Sequence, residues 1–250
     1  MRKLGAIFIV LLATSAWGGE LIIVAPDFWC PYSCKASDAN RGFTIDIIDA
    51  IFSAHGDRVK FVNMNYARAL SEVRSGEATA TPATYKNEAP DFVFPDEPIS
   101  SSRYCFYTAA NSQWKYTGVE SIATLRIGII KGYSYGDALD RAIRSKHYDF
   151  ETEYGDDLTI RMAKMMMAGR LDAFVEDEKL LAYLRKMNPE LKLRKAGCEK
   201  ASDTYMAISP KSPQAQRYAK IFSDGMKELK RSGELTRILE RYGINKSEDN

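Results

Sequence analysis

Residues 125–140 read LRIGIIKGYSYGDALD. The first six form a short apolar, β-branched run that suits a buried strand. Gly132 follows where the chain must turn sharply. Ser134 is placed to cap a helix that begins near Tyr135, with Asp137 in its first turn. A strand, a glycine turn and a helix N-terminus make a binding edge, because free N–H groups and the positive end of the helix dipole sit at its rim. Tyr133 and Tyr135 set two aromatic faces beside those donors. The same features also serve an ordinary strand-to-helix turn, so the surrounding chain has to decide.

Toward the N-terminus, residues 20–25 read as a first strand, followed by an aromatic, proline-stiffened loop, PDFWCPY. Gly42 precedes a helix over residues 43–54, whose apolar stripe is Ile47, Ile48, Ile51 and Phe52. A second strand over 59–64, a helix over 66–75 stopped by Gly76 and a small-residue strand over 78–83 complete a β-α-β-α-β series. That order indicates a parallel sheet covered by helices. Residues 91–98 form a proline-rich link, 103–109 another strand, and the polar stretch 111–118 a domain boundary.

Toward the C-terminus a second series of similar size appears. Residues 149–153 read as a strand and 156–168 as a methionine-rich helix, with Leu158, Met162, Met165 and Met166 on its buried face. That helical spacing favours core packing over copper binding. Residues 171–175 form a strand ending in Glu176, Asp177 and Glu178. A helix over 179–187 and strands over 191–194 and 203–209 follow. Two trailing helices, 212–231 and 234–242, must dock elsewhere.

The chain has 250 residues, enough for one large or two small domains. Arg2 and Lys3 precede an apolar run over 4–13 and a small-residue stretch over 14–19, a secretory signal peptide pattern with cleavage expected after Gly18. No cysteine follows the run, so no lipid anchor is expected. Without Arg2 and Lys3 the basic residues fall from 35 to 33, equal to the 33 acidic ones. A near-neutral chain carries no footprint for nucleic acid or for a charged membrane surface.

Export permits disulfides, and Cys30, Cys34, Cys105 and Cys198 allow three pairings. Cys30 and Cys34 are close enough to pair locally, at C-x3-C rather than C-x2-C spacing; buried free thiols are the alternative. His55 and His147 stand alone, so no metal site is expected, and no cofactor motif is present. H-E-x-x-H and phosphate-loop patterns are missing, and no serine, histidine and acid stand in a distinctive catalytic arrangement.

In open α/β sheets ligands bind at the carboxyl ends of strands. Those ends carry Asp27, Phe28, Trp29 and Tyr32; then Thr84, Tyr85 and Lys86; then Gly132 to Tyr135; then Glu176 and Asp177. If the two series face each other, the result is an aromatic box with donors, a cation and carboxylates, suited to a small polar solute. Each residue has a plainer role: Trp29 and Phe28 packing a loop, Lys86 a solvated charge, Asp177 a helix cap.

The order of GFTID at 42–46, KGYSYG at 131–136, GRLDAFVED at 169–177, YMAISPKSP at 205–213 and SGELTRILERYGI at 232–244 resembles the family 3 periplasmic solute-binding proteins, the polar amino-acid binders of ABC uptake systems. The resemblance implies an α/β, two-lobed periplasmic-binding-protein fold of type II, with two hinge strands and a ligand cleft between the lobes. Lobe 1 would comprise 19–109 and 205–250, and lobe 2 110–204, with hinge crossings near 110 and 204. It implies an acid at Asp177 for a substrate ammonium, donors near Ser134 and Tyr135 for its carboxylate, and an aromatic cover from Phe28 or Trp29. It also sets the crossings side by side, so that Cys105 can pair with Cys198, leaving Cys30 with Cys34.

The sequence departs from that family at 85–90, YKNEAP, where amino-acid binders carry a carboxylate-clamping arginine. Lys86 or Arg103 would have to substitute, and a lysine cannot form the bidentate fork. The expected protein is thus a periplasmic monomer that binds a small polar organic ligand without catalysis and serves a membrane permease. A sensory protein signalling to a membrane receptor is the alternative, and an exported thiol or redox enzyme using Cys30 and Cys34 a third.

Overall fold

The computed structural model describes residues 19–26, 29–154 and 157–244. The expected signal peptide, Asp27 and Phe28 lie outside these residues. In chain order the first elements are β1 (Glu20–Ala25), α1 (Phe43–Ser53), β2 (Arg58–Asn63), α2 (Tyr66–Ser75), β3 (Ala80–Thr84), β4 (Ser100–Ser102) and β5 (Tyr104–Ala109). After a 3-10 turn come β6 (Arg126–Ile130), α3 (Asp137–Ser145), β7 (Asp149–Glu153), α4 (Leu158–Met167), β8 (Ala173–Asp177) and α5 (Glu178–Met187). The chain closes with β9 (Leu193–Cys198), β10 (Ser202–Ile208), α6 (Ala215–Ser232) and α7 (Glu234–Arg241).

The strands form two five-stranded sheets, ordered β2-β1-β3-β10-β4 and β7-β6-β8-β5-β9. In each, three strands of a β-α-β-α-β series run parallel, and the next strand is antiparallel. Each sheet therefore defines one lobe. The parallel strands have both faces covered, which is why β3 and β8 are buried at every position.

Lobe 1 packs the stripe of α1 (Ile47, Ile48, Ile51 and Phe52) against Phe222 and Met226 of α6, so the trailing helices return to the first lobe. Each such side chain contributes about 1.5–3 kcal/mol when fully buried. Lobe 2 buries Met162 and Met166 of α4 with Phe174 and Leu181, and Met165 only partly. Gly42 lets the loop after β1 close on α1. Its φ is 112°, and a Cβ there would fall 2.3 Å from the Tyr32 carbonyl oxygen.

The chain changes sheet twice, between Ser102 and Tyr104 and between Cys198 and Ser202. Both changes come earlier than the expected crossings near 110 and 204. The strand expected over 103–109 falls in the expected lobe 1, but β5 pairs antiparallel with β8 and β9 and so belongs to the second sheet. The polar stretch 111–118 is a loop within lobe 2. Strand β10 does rejoin the first sheet, as expected for 203–209.

The two crossings run antiparallel, with Ser102 opposite Ser202 on one side and Cys105 opposite Cys198 on the other. Cys105 and Cys198 form a disulfide with Cα atoms 3.9 Å apart, and Cys30 pairs with Cys34. Both expected pairings are present.

Candidate functional site

Two adjoining cavities open between the lobes. The inner one is about 60 Å³ and the outer about 610 Å³; both touch Tyr85, Tyr104 and Ser134. Lobe 1 lines the inner cavity with Pro26 and Trp29 from the loop after β1, Tyr66 at the start of α2, Ala83 at the end of β3, and Tyr85 and Glu88 beyond it. Lobe 2 supplies Tyr104 at the start of β5 and Gly132, Tyr133 and Ser134 from the glycine turn. The wall is thus built where strands end, as open α/β sheets dictate.

Of the residues named from sequence, Trp29, Tyr85, Tyr133 and Ser134 meet at the inner cavity, and Lys86 and Tyr135 line the outer one. Lys86 Nζ lies 4.0 Å from the centroid of the Tyr205 ring. Tyr32 is fully buried behind the wall, where it stacks on Trp29 with centroids 4.2 Å apart. Thr84 is also buried, its hydroxyl 3.4 Å from that of Tyr66. Arg103 does not reach either cavity. Its guanidinium bonds to Glu178, which also takes Lys195. Burial pushes the Glu178 carboxyl up, but Lys195 and Arg103 outweigh it and hold the acid below its usual range.

Asp177 differs most from expectation. It is fully buried and lines neither cavity. Oδ1 caps α5 by accepting from the amides of Lys179 (2.9 Å) and Leu180 (3.0 Å). Oδ2 accepts from the hydroxyls of Ser102 (2.7 Å) and Tyr32 (3.0 Å) and from the amide of Arg103 (3.3 Å). Five donors from the protein take the place that a ligand ammonium was expected to fill. Burial still raises its pKa, against the Leu180 amide, Ser102, the Lys179 charge and Tyr32.

The glycine turn also departs from the expected cap. Helix α3 starts at Asp137 behind Gly136, not near Tyr135, and Ser134 does not cap it. Asp140 folds back instead. Its carboxylate accepts from the Ser134 hydroxyl (2.7 Å) and the Tyr135 amide (2.8 Å). The donors expected to hold a ligand carboxylate are thus bound to the protein's own.

Sequence reasoning missed Tyr66, Tyr104 and Glu88. Glu88 Oε2 accepts from the Tyr66 hydroxyl (2.9 Å) and the Tyr85 amide (3.1 Å). Burial raises its pKa against those two bonds. Burial above all, with nearby carboxylates adding, also holds the phenols of Tyr66, Tyr85 and Tyr133 above their usual value. They are neutral donors at physiological pH. The signal for Tyr66 was available, since it follows the end of β2, a strand end not counted.

Cys105, Cys198 and Glu178 lie near enough to suit a metal ion. The two sulfurs are joined to each other and Glu178 is held by two cations, so the group is spent on structure.

Two lobes with mixed sheets, two side-by-side crossings and a cleft lined from both lobes define a type II periplasmic-binding-protein fold. The family model for bacterial extracellular solute-binding proteins, family 3, matches residues 21–245, and the chain belongs to that family. An ancestral arginine-binding protein bound to arginine superposes with a TM-score of 0.72 at 18% identity, covering 90% of this chain and 98% of that one. A histidine kinase sensor domain with similarity to periplasmic binding proteins gives 0.70 at 17% identity, covering 90% and 96%. An amino acid ABC transporter substrate-binding protein from Streptococcus pneumoniae, bound to L-arginine, gives 0.69 at 17% identity, covering 89% and 94%. No curated protein matches by sequence.

Proposed function

We propose that the protein binds a small polar organic solute between its lobes, in the periplasm and without catalysis, and delivers it to an ABC-type permease. One observation carries this: Trp29, Tyr66 and Tyr85 of one lobe and Tyr104 and Tyr133 of the other line the same inner cavity. A ligand there touches both lobes and therefore favours their closed arrangement over any open one. The lobes are taken as residues 19–102 with 202–244, and 103–201, following the sheets. Two disulfides fit an oxidising compartment and the export signal read at residues 1–18. A sensory role on the same fold is the second reading, favoured by the likeness to a histidine kinase sensor domain.

Mass spectrometry of small molecules released from the purified protein, followed by a thermal-shift screen, tests the binding reading. A specific copurifying solute that raises the melting temperature supports it. A protein that carries nothing and responds to no solute refutes it.

A further inference from the structure

We infer that the inner cavity selects a compact organic monocation, an alkylammonium or quaternary ammonium head, with Glu88 as its counter-ion. This rests on the proposal above that the cleft binds a small solute, and names its chemistry.

Charge comes first. Among the described residues, Glu88 is the one acid lining the inner cavity, and no lysine or arginine lines it. Both bonds to Glu88 fall on Oε2, leaving Oε1 without a hydrogen-bond partner among the described residues. The cations that might have balanced it are committed elsewhere: Lys86 lies against Tyr205 at the outer cavity and Arg103 is paired with Glu178. A carboxylate in a largely apolar wall is costly unless a cation joins it.

The walls point the same way. Trp29, Tyr66, Tyr85, Tyr104 and Tyr133 line the space. Aromatic faces carry negative quadrupoles, and several around one cavity form the cage that attracts desolvated organic cations. The phenols add no charge of their own.

An α-amino acid, by contrast, needs a place for its carboxylate. The Tyr135 amide and Ser134 hydroxyl would provide it, but they bind Asp140. No arginine stands at 85–90 to supply another.

The inner cavity is small, about 60 Å³, which suits a compact head group. A longer substituent would pass Tyr104 into the outer cavity, whose charges are mixed: Lys86, Arg141 and Lys200 against Asp137, Glu199 and Asp203.

The test is calorimetric titration of the protein, freed of bound solute by unfolding and refolding with its disulfides intact. The probes are tetramethylammonium, choline, the neutral choline isostere 3,3-dimethylbutan-1-ol, L-glutamate and L-arginine. At least one of the two cations should bind, at least tenfold more tightly than the isostere, and Glu88→Gln should weaken it at least tenfold. Gln keeps an acceptor for Tyr66 and Tyr85, and its unfolding midpoint without ligand checks that it folds. The choline-to-isostere ratio on the parent stands independently of the variant. Cations that fail to bind, bind no better than the isostere, or bind a folded Glu88→Gln equally well overturn the inference. If an amino acid binds while both cations fail, the cation inference falls and the solute-binding proposal stands. If none of the probes binds and no solute copurifies, both fall.

Discussion

The Tyr32 hydroxyl donates to Asp177 Oδ2 at 3.0 Å, joining the loop after β1 in lobe 1 to the N-terminus of α5 in lobe 2. The two residues are 145 positions apart, and both are fully buried. The same Tyr32 ring backs Trp29, so one side chain ties the cavity wall to the junction of the lobes. Tyr32→Phe keeps the stacking and removes the bond. A hydrogen bond to a buried carboxylate contributes about 1.5–3 kcal/mol, so urea unfolding should show a loss of that order. Ligand binding should weaken too, because the closed arrangement loses a contact between lobes. Unchanged stability would show that Ser102 and the three amides suffice for Asp177.

Glu176 makes stability depend on pH. It is fully buried, its oxygens accept from the Thr159 hydroxyl and the Asp177 amide, and burial raises its pKa from 4.5 to about 7. Its neighbours in charge are Asp177 and the phenols of Tyr107, Tyr133 and Tyr135, none of them a cation. Between pH 4.5 and about 7 the folded protein keeps a proton that the unfolded chain has released, so stability falls as pH rises through that window. The gap converts to about 3 kcal/mol lost by pH 8. Glu176→Gln should remove most of the slope and exceed the parent in stability at pH 8. Asp177, shifted in the same direction, should leave a remainder. Equal pH slopes for the two proteins in urea unfolding would contradict this.

Most of the fold was legible because its signals are local. The stripe of α1, the glycine stop of α2 and the strand series all read correctly from periodicity and breakers. The partner of β5 was not legible. Tyr104 to Ala109 is apolar enough for either sheet, and only pairing with β8 and β9 decides. The site was half legible for a similar reason. Strand ends located Trp29, Tyr85 and Tyr133, but whether an acid faces ligand or protein depends on donors far away in sequence. Asp177 finds Tyr32 and Ser102, Asp140 finds Ser134 and Tyr135, and among the described residues Glu88 keeps one oxygen free of such bonds.

The disulfide Cys105–Cys198 closes a loop of 93 positions that contains nearly all of lobe 2. By chain entropy, a loop of that length stabilises by up to about 4–5 kcal/mol. The ladder of β5 with β9 holds the same strands together, so the paired Cys105→Ser/Cys198→Ser variant should still fold. Its urea midpoint should drop substantially, while the slope of the transition rises because the unfolded chain without the cross-link is less compact. A loss under about 1 kcal/mol would place the constraint in structure that persists in the unfolded chain.

The Cys30–Cys34 disulfide should act on binding more than on stability. It spans only four positions, and its loop is already closed by the amides of Tyr32 and Ser33 donating to the Trp29 carbonyl at 2.9 and 3.1 Å. The Ser33 hydroxyl adds a bond to the Pro26 carbonyl at 2.7 Å. Chain entropy for so short a loop is about 2 kcal/mol, less than half the value for the long one. What the bridge constrains is Trp29, whose ring is a cavity wall and whose neighbour in sequence is Cys30. In Cys30→Ser/Cys34→Ser the unfolding midpoint should therefore fall less than in the other pair. The emission of Trp29, read against a Trp29→Phe blank to remove Trp114, should shift red as the indole gains water. Affinity for the copurifying solute should drop by about tenfold, the loss of about 1.4 kcal/mol of aromatic contact. An unmoved spectrum and unchanged affinity would show that Tyr32 stacking and the Ser33 bonds position Trp29 without the bridge.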